Sequence, residues 1–166
     1  MTEPVILTLP QLQDALAYWQ RALRLQDWDI TLAITRRKDW KGSASGTAIS
    51  DWHIPTGHAN MHLLNADDYA ADSFVEPQDM EVDLVHEMLH GHFHETVISV
   101  EEQGIRRDLF EAAIETTARA LVRLKRGLAA CEARQAGEVQ HHAFQYVIGS
   151  QPAGGAGHVG GEIKVS

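Results

Sequence analysis

The chain has 166 residues, 44% of them hydrophobic and 22% charged, a size and balance that suit one globular domain with its own core and exclude fibrous or disordered classes. Its formal charge of −9 is uneven: no Lys or Arg lies between Lys41 and Arg106, whereas twelve acidic residues do, which argues against nucleic acid as a partner because duplex binding leans on phosphate contacts. The single cysteine, Cys131, excludes an intrachain disulfide and a cysteine-rich metal site, and no apolar run reaches the roughly 18 to 20 residues that a membrane-spanning helix needs.

Near the start, Glu3 stands where a signal peptide carries positive charge, and Pro4 and Pro10 interrupt a short apolar stretch, so a cytoplasmic protein is expected. After Pro10, apolar residues at 12, 15/16, 19 and 22/23 predict an amphipathic helix with proline near its first turn. The alternation from Trp28 to Thr35 predicts a strand, followed by a basic, small-residue loop from Arg36 to Gly46. Two further runs, Thr47 to Trp52 and Ala59 to Leu64, flank a Pro55/Gly57 turn and read as a hairpin. All three strands together predict a small, mostly antiparallel sheet.

From Pro77 the period becomes helical, with Met80, Val82, Val85, Leu89 and Phe93 recurring over about four turns. Carboxylates from Glu76 to Asp83 occupy its early turns, the favourable end of the helix dipole. A longer helix is predicted from about Arg106 to Arg134, with Gly127 as a weak point. The fold class expected is therefore α+β: an N-terminal helix, a three-stranded sheet and two later helices, forming one domain over residues 1–148. Residues 149–166 are rich in glycine and read as a flexible tail.

The helix after Pro77 carries His86-Glu87-Met88-Leu89-His90. Residues four apart lie about 40° apart around a helix, one turn up, so both imidazoles can face one ion. Glu87 is offset by about 100° from His86, close to such an ion without binding it, where it can serve as general base. The chain has ten histidines, yet its composition predicts only about 0.04 chance matches to this pattern. A zinc ion active in catalysis takes three protein ligands and leaves a position for water. His92 and His94 drift away around the axis and read as surface residues. Glu111 and Glu115, 21 and 25 residues after His90, share a helix face that can fold back on the first. One of them can ligate the ion and the other can orient a ligating histidine.

With these residues the sequence resembles the gluzincins, zinc peptidases in which an HExxH helix is followed about twenty residues later by a glutamate on another helix. The resemblance implies Glu111 of Phe110-Glu111-Ala112-Ala113-Ile114-Glu115 as third ligand and Glu115 as the orienting carboxylate. The spacing is one residue longer than in thermolysin, and Glu115 stands where aspartate is usual. Over roughly residues 10 to 130 the chain is similar to small phage and prophage metallopeptidases, the minigluzincins, through Trp28-Asp29-Ile30, Val85-His86-Glu87-Met88-Leu89-His90 and Phe110 to Ile114. That implies Zn2+ as cofactor and peptide or protein as substrate, with Glu87 as catalytic base.

An extended substrate would pair with an edge strand, for which His58 to Leu64 is the candidate. His62 and Tyr146, and beside them His141 and His142, are candidate contacts to substrate or oxyanion. Two other readings are a non-catalytic protein stapled by metal and an SprT-like protease acting near DNA, with His94 or a C-terminal histidine as ligand. Glu87 argues against the first and the acidic middle of the chain against the second. Oligomeric state has no signature in the sequence.

Overall fold

The computed structural model describes residues 3–42, 46–69, 77–93 and 106–149 and, within the last stretch, the side chains of residues 107–136. Helix α1 runs Leu9–Ala22 with proline in its first turn, where a backbone N–H has no intrahelical partner to lose. Leu12, Ala15, Leu16 and Trp19 form its buried face, the spacing expected of an amphipathic helix. Beyond Arg24, at a φ of 55°, the chain enters β1 (Asp29–Thr35).

Strands β2 (Ala48–His53) and β3 (His58–Leu64) pair antiparallel as the expected hairpin. Their turn ends at Gly57, whose φ of 63° lies in the left-handed region that glycine enters without a Cβ clash. β1, however, pairs with β3 and does so in parallel, in register from Asp29 with His58 to Thr35 with Leu64. The strand order is β1-β3-β2, so the sheet is mixed and not mostly antiparallel. The connection over residues 36–47 is too long for a tight hairpin and carries the chain past the place beside β1, which β3 then fills. The His58–Leu64 strand is consequently central, and the expectation that it offers a free edge is corrected: among the described residues the edges belong to β1 and β2.

A central strand must bury one face, and Ala59, Met61 and Leu63 have no exposure at all. Helix α2 (Met80–His92) packs across the sheet on that face. It begins later than the expected Pro77, because Asp79 caps it: Oδ1 accepts from the backbone N–H of Glu81 and Val82, each at 3.2 Å. The acidic first turns are not simply a solvated dipole pattern. Glu81 is buried and accepts from Trp19 Nε1 at 3.1 Å and from Lys125 Nζ, joining α1, α2 and the last helix.

Helix α3 (Arg106–Gly149) runs well past its expected end near Arg134 and continues through Gly127 unbroken. Ile114, Ala118 and Val122, each four residues apart, form its buried stripe and join Leu84, Val85 and Met88 of α2 in one core. The chain divides into two compact units, Met1–Lys125 and Arg126–Ser166. The first holds the sheet, α1, α2 and the start of α3. The tail expected over 149–166 lies, from residue 150, outside the described residues. No helix among the described residues is long and apolar enough to cross a membrane. Among the described residues the architecture is α+β, three α-helices and a mixed three-stranded sheet.

Candidate metal centre

At about 100° per residue, Asp83, His86, Glu87 and His90 of α2 fall within an arc of about 100°, beside the face that buries Leu84, Val85, Met88 and Leu89. On α3, Glu111, Glu115 and Arg119 follow one another every four residues, about 60° around the axis from the Ile114, Ala118, Val122 stripe. Docking the two apolar stripes therefore sets the two polar stripes face to face at the margin of the core. Glu87 is 7% exposed, and the His86 and His90 side chains are 19% and 18% exposed.

Three ligand atoms meet there. His86 Nε2 and His90 Nε2 are 3.1 Å apart, and each lies 3.4 Å from Glu111 Oε2. Ligands held tetrahedrally at about 2.0 to 2.1 Å from zinc are separated from one another by about 3.3 Å, so the triangle already has the edges such an ion requires. The donor set, two imidazoles and one carboxylate, is also a common one for catalytic zinc. Among the described residues no other group of three histidines, cysteines or carboxylates converges in this way.

The surroundings separate the two glutamates. Glu115 Oε2 lies 2.8 Å from His86 Nδ1, on the side of the ring away from the triangle, and Glu115 Oε1 accepts from Arg119 Nε at 2.6 Å. An imidazole whose Nδ1–H is held by a carboxylate presents the Nε2 lone pair outward. Burial works to lower the His86 pKa, but the Glu115 hydrogen bond and the charges of Glu87, Glu115 and Glu111 together raise it above the ordinary histidine value. For His90, burial prevails and lowers the pKa.

Glu87 is held from the sheet. Ser50 Oγ donates to its Oε2 at 2.5 Å, and Trp52 Nε1 donates to Ser50 Oγ at 3.0 Å. His86, Glu87, Glu115 and Arg119 line a cleft of about 550 Å³, together with Thr47, Tyr69, Gln78 and Asp83. Thr47 donates to Asp83 Oδ1 at 2.9 Å, while Asp83 Oδ2 is enclosed with no partner among the described residues. Burial with only one compensating hydrogen bond pushes the Asp83 carboxyl up to about 7. Tyr69 is raised as well, by burial and by the charge of Asp83, and so keeps its phenolic proton.

The structure thus brings His86, His90, Glu111, Glu115 and Glu87 together. His62 is elsewhere: it projects from the opposite face of β3, its Nδ1 2.9 Å from Thr35 Oγ1 in a separate pocket, and the expected contact with this site is corrected. Alternation along the central strand explains the miss, since Met61 and Leu63 take the core side. His92 is exposed beside the Leu23 carbonyl, as a surface residue would be. His94 lies outside the described residues, as do the side chains of His141, His142 and Tyr146. Ser50, Trp52, Tyr69 and Arg119 went unforeseen. For Ser50 a signal existed: it shares a strand face with Ala48 and Trp52, a small polar residue on a side that faces the helix.

Compared with models of known protein families, with curated proteins and with solved structures, the chain matches none.

Proposed function

We propose that the protein is a zinc-dependent metallopeptidase of the gluzincin type, close in plan to the minigluzincins, with His86, His90 and Glu111 holding the ion and Glu87 as general base. The observation that carries the reading is the triangle of ligand atoms with edges of 3.1, 3.4 and 3.4 Å, next to a carboxylate that is itself no corner of it. A purely structural site has no need of that additional carboxylate, and usually closes with four ligands.

Bound there, zinc supplies a Lewis acid that polarises a carbonyl and brings the pKa of water down towards about 7. Glu87 removes a proton from the attacking water and passes it to the leaving nitrogen. Glu115, fixed by Arg119, holds the His86 ring so that Nε2 faces the ion. Tyr69 is a protonated donor on the same cleft and is suited to the oxygen that gains charge during attack. An extended peptide would pair with the outer edge of β2, the strand whose Ser50 touches Glu87, and not with β3.

The direct test is Glu87→Gln. It should keep its zinc and lose at least about a hundredfold in turnover, within the usual range for a general base. Peptide cleavage by this variant at the wild-type rate would refute the mechanism.

A further inference from the structure

Trp52, Ser50 and Glu87 form a chain of hydrogen bonds whose direction follows from chemistry alone. An indole nitrogen only donates, so the Trp52 N–H, 3.0 Å away, occupies a lone pair of Ser50 Oγ. An ionised carboxylate only accepts, so the single Ser50 hydroxyl proton points at Glu87 Oε2, 2.5 Å away. A bond to a charged acceptor is among the stronger kinds. It engages one carboxylate oxygen, and Glu87 also lines the cleft.

The indole is itself fixed. It packs edge-on against Trp28, ring centres 4.8 Å apart, and lies over Gly91 of α2. A Cβ at Gly91 would come within 2.3 to 2.5 Å of three atoms of the Trp52 ring. Glycine is a poorer helix former than alanine, and this one directly follows His90. The helix thus carries a poor helix former at the place where the indole must approach its backbone.

We propose that Ser50 and Trp52 are positioning residues for Glu87: the relay anchors Oε2 from the sheet and so leaves Oε1 directed at the cleft. Its kinetic consequence rests on the peptidase reading above, whereas the relay itself does not. Two readouts on the full chain keep these apart. The first is the Trp52 indole N–H resonance in nitrogen-labelled protein, with and without zinc, assigned by its disappearance in Trp52→Phe. It should move upfield in Ser50→Ala, which removes its acceptor, and should shift in Glu87→Gln, which weakens the next bond. The second is kinetic. Ser50→Ala should lower kcat roughly tenfold or more with KM and zinc content unchanged, and Ser50→Thr, which keeps the hydroxyl, should recover most of the loss. An indole resonance unmoved by Ser50→Ala would overturn the relay, and wild-type kcat in the same variant would overturn its role. Should the wild-type protein cleave no peptide, the peptidase reading fails while the resonance still decides the relay.

Discussion

Glu111 and Glu115 are chemically identical and one helical turn apart, and only their neighbours distinguish them. Glu111 Oε2 faces both imidazole Nε2 atoms, whereas Glu115 Oε2 faces Nδ1 of one ring. Glu111→Ala should abolish stoichiometric zinc binding; Glu115→Ala should retain zinc with affinity weakened roughly 10- to 100-fold, the usual effect of removing a partner of a ligating histidine. Metal analysis after dialysis against a graded chelator checks both, and full zinc retention by Glu111→Ala contradicts the assignment. Asp83 gives a separate prediction. Its carboxyl ionises near 3.8 when unfolded and at about 7 when folded, so the fold favours the protonated form. That stability is complete below the unfolded value and is lost as pH rises through about 7. In metal-free protein, wild type and Asp83→Asn should therefore be equally stable near pH 4 and diverge above it, the variant being more stable at pH 8 by a few kcal/mol. Chemical denaturation across pH checks this, and a difference that does not grow with pH would contradict it. At this scale the sequence was legible where spacing alone decides, as in His86, Glu87 and His90. Asp83 was not, and Ser50 only as a small polar residue on a strand face, because what each touches depends on which strand lies over which turn of α2.

Between elements, one stripe of apolar side chains determines where the carboxylates arrive. Ile114 is 2% exposed and adjoins Glu115, so the packing that stabilises α3 also places the site. Ile114→Ala should cost about 2 to 5 kcal/mol in urea unfolding of the metal-free protein, and saturating zinc should restore part of it by binding only the folded state. No loss of stability would show that α3 is not anchored by this stripe. Gly91→Ala should behave differently. Alanine is the better helix former, yet its methyl group meets the Trp52 ring, so the variant is expected to lose stability and to disturb the Trp52 indole resonance together. The helices were legible from the sequence because their period is local, and so was the hairpin, whose turn residues announce it. The placing of β1 was not. Alternation identifies a strand but says nothing of its partner, and parallel pairing with β3 depends on residues nearly thirty positions away.

For the molecule as a whole, part of the acidic middle of the sequence becomes intelligible once folded. Glu87 of that segment, joined by Glu111 and Glu115 of α3, stands by two histidines, where carboxylates favour a cation, and Asp79 and Glu81 tie down the start of α2 and its neighbours. The three proposed ligands come from two helices, and all three residues lie within the Met1–Lys125 unit. Calorimetric titration of the metal-free full chain with zinc at neutral pH is the most direct measurement of this account. It predicts one ion per chain, retained in Glu87→Gln and lost in His86→Ala, His90→Ala and Glu111→Ala. A folded chain that takes up no zinc, or takes it up equally with all three ligands replaced, would contradict it.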